Sequence, residues 1–206
     1  IESKAFNGCS SLRHFVSAVQ FIGSSAFNGC SSLESVTLGP ADIGESAFSE
    51  CYLLKSVNIR GPGNCVIREN AFANLTLLES LEGANYIVNI GDNAFNGCIS
   101  LSGYLDFSNL EVLGVNGFHN CTSLTSVVVG NLLNLGKNAF SGCTSLSGAI
   151  DLPRVESVGD GAFKDCAALT SFVAPQLSDL GQGVFIGCTN LSDVVFGESL
   201  RCIPSD

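Results

Sequence analysis

The chain has 206 residues, 46% of them hydrophobic and only 14% charged, and its 19 acidic side chains outnumber 9 basic ones to give a formal net charge of −10. This composition suits a folded core rather than a disordered chain, and the negative charge disfavours nucleic acid, whose binding depends on Lys and Arg displacing counterions. The longest stretch without a charged residue, 112–136, contains several Asn and Gly, so we expect no membrane span.

One phenylalanine recurs along the whole chain at intervals of 21 to 24 residues. An aliphatic residue lies five positions before it, usually followed by Gly, and a Leu lies six positions after it. A unit of this length cannot enclose its apolar positions alone, so successive units must stack on each other. The sequence therefore predicts a single solenoid of about nine repeats over residues 1–206, centred on Phe6, Phe27, Phe48, Phe72, Phe95, Phe118, Phe140, Phe163 and Phe185.

An alternating apolar run follows the repeated Leu and predicts one short strand in each unit. In chain order, clear examples cover residues 33–38, 54–59, 101–107, 124–129 and 146–152. Equivalent strands of a solenoid pair in parallel at about 4.8 Å per unit, which gives one sheet on the order of 40 Å across. The Ala-Phe-x-x-Cys segment is too short for a regular helix, so we expect turns or single helical turns opposite the sheet.

Three units depart from this pattern. Residues 60–64, with the sequence Arg-Gly-Pro-Gly-Asn, predict a turn that protrudes from one rim of an enlarged unit. In the strands at 101–107 and 146–152, the inward-facing pair falls one residue later than in the other units. A bulge centred on Gly103 or Gly148 would absorb the extra residue and keep the apolar side chains facing inward.

The unit Ile-Gly-x-x-Ala-Phe-x-x-Cys-x-x-Leu-x-x-Val-x-Leu, nearly complete over residues 22–38, resembles the BspA-type leucine-rich repeat. The resemblance covers all nine units and implies an α/β solenoid, a right-handed superhelix with one parallel β-sheet face and short turns or helical turns opposite. Such repeats occur mainly in bacterial and protozoan surface proteins that bind host matrix or cells. The resemblance thus implies a cell-surface or secreted location and a protein-binding or adhesive role. Because the sequence has no Met and no secretory leader at its start, we expect a fragment of a longer chain.

Eight of the ten Cys lie three positions after the repeated Phe, and Leu75 takes that position in the fourth unit. No two Cys are closer than 14 residues, whereas zinc sites use pairs two to four residues apart. A position that accepts Leu indicates a small buried apolar site, so we interpret these Cys as free structural thiols. Cys65 and Cys202 lie outside this column, and each is either a free surface thiol or the partner of a missing residue.

Catalysis requires a base, a nucleophile and an orienting group in one cleft, and the sequence does not indicate such a site. Its two histidines, His14 and His119, belong to the first and sixth units, roughly 20 Å or more apart along the stack. We expect both to be solvated, and we predict a protein that is not an enzyme and needs no metal or cofactor.

The outward side of the strands is where a solenoid presents repeated side chains to a partner. We expect a protein ligand to bind across the central units, where an aromatic residue, an apolar residue and three acids come together: Glu82, Tyr104, Asp106, Val128 and Asp151. The acids predict a partner with a basic patch, such as a host or matrix protein. A structural spacer with no ligand of its own remains the alternative.

Overall fold

Residues 1–200 are described by a computed structural model, and they form a solenoid of stacked parallel strands. Nine of these strands line one face, one from each coil. In chain order they are β1 (His14–Ser17), β3 (Ser35–Leu38), β5 (Ser56–Ile59), β7 (Ser80–Glu82), β9 (Gly103–Phe107), β11 (Leu124–Val129), β13 (Gly148–Asp151), β15 (Leu169–Ala174) and β17 (Asp193–Phe196). They confirm the expectation of one parallel strand per unit on this face.

A second parallel sheet, which the sequence did not predict, runs along another side of the coils. Its eight strands are β2 (Phe21–Ile22), β4 (Asp42–Ile43), β6 (Cys65–Ile67), β8 (Ile87–Ile90), β10 (Val112–Leu113), β12 (Asn134–Leu135), β14 (Ser157–Val158) and β16 (Asp179–Leu180). Most contain two residues, too few to show alternation in a sequence. Adjacent coils approach closely just after these strands: a Cβ on Gly136 would lie 2.5 Å from the backbone of Gly114. This contact explains why Gly follows the repeated aliphatic residue.

The expected α/β class and helical turns are not confirmed. Within residues 1–200, helix is limited to a single 3-10 turn at Ala84–Tyr86. The segments around the repeated Phe are turns, because a residue with positive φ lies two positions before the Phe and another two positions after it. In the fifth coil these residues are Asn93, with φ 54°, and Gly97, with φ 74°. Two left-handed residues four positions apart interrupt any right-handed helix between them.

The strand face is divided into three hydrogen-bonded ladders rather than one continuous sheet. They comprise β1 to β7, β9 with β11, and β13 to β17, counting the face strands only. The register shifts beside Gly103 and Gly148, which have φ of 89° and 79°, as the sequence predicted. The unpaired residues are not in these strands, however, but are Thr125 of β11 and Thr170 of β15 on the neighbouring strands. Leu105 and Ile150 remain buried beyond the shifts. Strands β9 and β13 therefore keep their inward side chains, and each begins a new ladder.

A continuous stack of the nine repeated Phe rings runs through the centre of the core. Neighbouring ring centroids lie 4.9 to 6.2 Å apart, with ring planes within 14° of parallel. Seven of the rings are fully buried, and only Phe6 and Phe185, in the first and last coils, are half-buried. The stack joins each coil to the next through the centre of the solenoid.

The column Cys are buried in every inner coil that has one, as the sequence predicted, and are exposed or half-buried only at Cys9 and Cys188. Their thiols also donate a hydrogen bond to the carbonyl of the repeated Phe in the preceding coil, for example Cys98 Sγ to Phe72 O at 3.1 Å. The site is therefore not purely apolar. Cys65 is buried in β6, which makes the surface-thiol alternative wrong for it. Cys202 lies outside the described residues.

Candidate functional site

The centre of the predicted site lies on the two-stranded ladder of β9 and β11. Tyr104 is aligned with Ser126 and Asp106 with Val128 across this ladder. The side chain of Tyr104 is 62% exposed and that of Val128 is 39% exposed, whereas Asp106 is half-buried. Aligned residues of parallel strands lie about 5 Å apart, and alternate residues of one strand about 7 Å apart. Tyr104, Asp106 and Val128 therefore share one small area of the face.

The two remaining predicted residues lie on the neighbouring ladders. Glu82 ends β7, where it is aligned with Asn58 and accepts a hydrogen bond from the Asn58 amide. Asp151 ends β13, where it is aligned with Val173 and is exposed. The structure thus places Glu82 and Asp151 on either side of the β9 and β11 ladder. We refer to Glu82, Tyr104, Asp106, Val128 and Asp151 as the face site.

No basic side chain neutralises the carboxylates of the face site within residues 1–200. The ion pairs in this part of the chain join Arg13 to Glu34, Arg68 to Asp42 and Lys137 to Asp160, all on the surface. The hydrogen bond from Arg13 lowers the pKa of Glu34, and no such cation contacts Asp106. Asp106 Oδ1 instead accepts a hydrogen bond from the backbone N–H of Ser108 at 2.9 Å. The acids of the face site therefore form no ion pair in the described coils, and the cation nearest to Glu82 is Arg60, whose Nε donates at 3.2 Å to Oδ1 of the neighbouring Asn58.

The two histidines lie in different coils, the first and the sixth, and have different surroundings. His14 Nδ1 lies 2.8 Å from Ser35 Oγ, on the strand face of the first two coils. His119 is half-buried, and its Nδ1 is buried without a hydrogen-bond partner among residues 1–200, so the expectation of a solvated side chain is wrong for it. Over the same residues, no group of three or more His, Cys, Asp or Glu is arranged to hold a metal ion.

Exposed apolar side chains also cluster in the turns of the third to fifth coils, which the sequence interpretation did not single out. These side chains are Tyr52, Leu53, Leu77 and Ile99, exposed by 39 to 55%. The signal was present in the sequence, because the same turn positions hold Ser, Thr, Ala or Asn in the other coils. We refer to these four residues as the turn patch.

Over residues 1–200, helices long and apolar enough to cross a membrane are absent. Shallow polar depressions lie along the solenoid, one lined by Glu45, Arg68, Glu69 and Asp92 among others.

The sequence matches the family model of the BspA type leucine-rich repeat region, which contains 6 copies of the repeat, over residues 1–125 and again over residues 111–206. These two matches together cover the whole chain. No curated protein matches it.

Solved structures of other leucine-rich repeat proteins are similar to these coils. A leucine-rich repeat protein of T. pallidum, TpLRR, is 26% identical over 71% of this chain and 70% of its own, with a TM-score of 0.56. The pneumococcal vaccine antigen PcpA is 19% identical to this chain, with a TM-score of 0.50. The alignment covers 100% of this chain and 61% of PcpA. A leucine-rich cell surface protein of Faecalibacterium prausnitzii is 21% identical over 95% of this chain and 76% of its own, with a TM-score of 0.44.

Proposed function

The chain belongs to the BspA-type leucine-rich repeat family, and from this premise we propose that it is a non-enzymatic protein-binding or adhesion segment of a cell-surface or secreted protein. The location follows the resemblance to repeats that occur in surface proteins. We treat the nine repeats of residues 1–200 as one binding unit. Its partner binds the strand face across the central coils.

The observation that carries this proposal is the exposure of Tyr104 beside Asp106 and Val128. Strand-face positions in most other coils hold small or aliphatic residues, whereas Tyr104 projects a large ring that is 62% exposed. Tyr is enriched among residues that dominate binding energy, because it combines apolar area with a hydroxyl group and loses little conformational entropy. The ladder of β9 and β11 fixes the backbone of Tyr104 beside Ser126.

Charge selects the class of partner. The chain carries a formal charge of −10, and the carboxylates of Glu82, Asp106 and Asp151 form no ion pair in the described coils. A protein with a basic patch is attracted to such a surface over about one Debye length, near 10 Å at 0.1 M salt. We therefore expect a host or matrix protein with a basic patch, whose association rate falls as salt rises.

Binding to a panel of immobilised matrix proteins tests the proposal. The test variant combines Glu82→Lys, Asp106→Lys and Asp151→Lys. For a panel member that binds the wild type, we expect this variant to bind at least about tenfold more weakly, because attraction becomes repulsion. The variant should remain folded, because none of the three residues belongs to the buried core. Its melting temperature should fall by a few degrees, because the variant loses the hydrogen bonds from Ser108 N–H to Asp106 and from the Asn58 amide to Glu82.

A matched control separates a local effect from a change in total charge. The control variant combines Glu45→Lys, Glu69→Lys and Glu111→Lys, which alter the net charge by the same amount at exposed positions outside the face site. We expect the affinity of this control variant for the matrix protein to stay within about threefold of the wild-type affinity at 0.15 M salt, because distant surface charges are largely screened there. Equal weakening by both variants would contradict the proposed site.

The structural spacer is the second candidate, and the continuous stack of nine Phe rings favours it. A solenoid joined coil to coil through its core is a stiff rod that can separate other domains. Absence of binding to every member of the panel, with a folded wild-type protein, would favour the spacer.

A further inference from the structure

The turn patch departs from the repeat in three consecutive coils. Its residues occupy the first and second positions after the Cys column, Tyr52 and Leu53 in the third coil, Leu77 in the fourth and Ile99 in the fifth. The remaining coils supply an internal reference for what these positions require. There the fold is satisfied by Ser, Thr, Ala or Asn, so large apolar side chains are not needed for stacking.

Three polar residues at these positions, Ser100, Thr122 and Thr144, also donate side-chain hydrogen bonds that an apolar residue cannot make. Ser100 Oγ donates to Thr76 O at 2.6 Å, and Thr122 Oγ1 donates to Ile99 O at 3.3 Å. Each bond joins one coil to the preceding one. Replacement by Leu, Ile or Tyr removes the hydroxyl donor or moves it away from the backbone, and it exposes apolar surface to water. The lost hydrogen bonds and the exposed apolar area are unfavourable in the isolated protein, and the coils stack without these large side chains elsewhere. We therefore infer that a partner covers this surface when the protein functions.

The spacing of the coils selects the secondary structure that fits the turn patch. Successive coils are hydrogen-bonded to each other here, as in Glu79 N to Lys55 O at 2.8 Å, so equivalent side chains recur about every 4.8 Å and Tyr52 lies about 10 Å from Ile99. A helix along the stacking axis places residues i and i+7 about 10.5 Å apart. A strand places same-face residues about 7 or 14 Å apart. These distances match neither the spacing of about 4.8 Å between adjacent coils nor the distance of about 10 Å between Tyr52 and Ile99.

The apolar area of the turn patch and the secondary structure of this chain indicate that the helix belongs to another protein. Four partly exposed side chains offer on the order of 300 Å² of apolar surface, well below the roughly 800 Å² per partner of a stable interface. A second copy of residues 1–200 would not supply the helix, because these residues contain only the 3-10 turn at Ala84–Tyr86. Glu50 and Glu79 border the turn patch and outnumber Lys55, which favours basic residues at the edges of the partner's apolar stripe.

We propose that the turn patch is a docking site for a short amphipathic helix of another protein, lying along the stacking axis with apolar residues at i, i+3 or i+4, and i+7. This site is separate from the face site and does not depend on the function proposed above.

Fluorescence anisotropy with two synthetic peptides tests the proposal. One 18-residue peptide of Leu, Ala and Lys places Leu at helical spacing, and the second has the same composition with Leu at alternate positions. The wild-type protein should bind the helical peptide at least tenfold more tightly than the alternating one. Equal charge in the two peptides removes non-specific attraction to an acidic protein as an explanation.

The variant used for comparison restores the residues found at the same positions in other coils: Tyr52→Ser, Leu53→Ser, Leu77→Ser and Ile99→Thr. It should fold, as checked by its melting temperature, and bind the helical peptide at least tenfold more weakly. A control with Val16→Thr and Val195→Thr, exposed apolar residues of the strand face, should bind like the wild type. No binding of the helical peptide by the wild type, or equal binding by the folded four-residue variant, would overturn the proposal.

Discussion

Removal of one central ring tests the stacked core most directly among stability measurements. Phe95 is fully buried between two parallel rings, with centroids 5.3 Å from Phe72 and 5.1 Å from Phe118. Phe95→Ala removes the buried side chain, leaves a cavity and breaks both ring contacts, so we expect a loss near the upper end of the range of about 3–5 kcal/mol. For a chain of this size the melting temperature should fall by roughly 10 °C or more.

Phe6→Ala is the matched control for that loss. Phe6 is half-buried and stacks on only one repeated ring, Phe27, at 5.0 Å. We expect a loss of about 1–2 kcal/mol, because less surface is transferred to water and the site opens to solvent. Urea unfolding followed by far-ultraviolet circular dichroism measures both variants. Equal and small losses at the two positions would refute the claim that the Phe stack joins the coils.

Two further predictions concern buried thiols and close contacts between coils. Burial raises the pKa of the Cys98 and Cys143 thiols to about 12, against 9.0 for an ordinary thiol, so the folded protein holds more protons than the unfolded chain between these values. The free energy of unfolding should keep its full value below pH 9. Between pH 9 and about pH 12 it should fall by about 1.4 kcal/mol per buried thiol for each pH unit. Urea midpoints at pH 8 and pH 10 measure this fall, which should be smaller in Cys98→Ala; a midpoint independent of pH would contradict it. Gly136→Ala, whose Cβ would lie 2.5 Å from backbone atoms, should lose about 1–3 kcal/mol, and Gly103→Ala, whose Cβ meets open space, about 1 kcal/mol. The same unfolding assay compares them, and a greater loss at Gly103 would contradict the close-contact explanation.

Much of the fold was predictable because each feature left a repeated mark on the sequence. The Phe period predicted the stack, the alternating runs predicted the face strands, and the extra residues beside Gly103 and Gly148 predicted register shifts there. The sequence did not predict that the unpaired residues would be Thr125 and Thr170 on the neighbouring strands. The short-strand sheet was missed because two residues cannot show alternation. The thiol bond to the Phe carbonyl was missed because it depends on the distance between coils, and the substitution by Leu75 suggested a purely apolar site.

The surfaces were less predictable than the core. Alternation correctly assigned Tyr104, Asp106 and Val128 to the outward side of their strands, since inward and outward residues follow a period of two. It did not predict that Glu82 and Asp151 lie on separate ladders, because that depends on backbone pairing. The turn patch was visible as a departure from Ser and Thr, but only the structure shows that its side chains remain exposed.

Photo-cross-linking from the strand face tests the central functional claim most directly. A benzophenone side chain replaces Tyr104 in one variant and Ile186, which is 51% exposed in a turn outside the face, in the other. Both are irradiated with the matrix protein that the wild type binds most tightly. A cross-link from position 104 that is at least tenfold stronger than that from position 186 is the predicted result. Cross-linking from position 186 alone would contradict binding at the strand face.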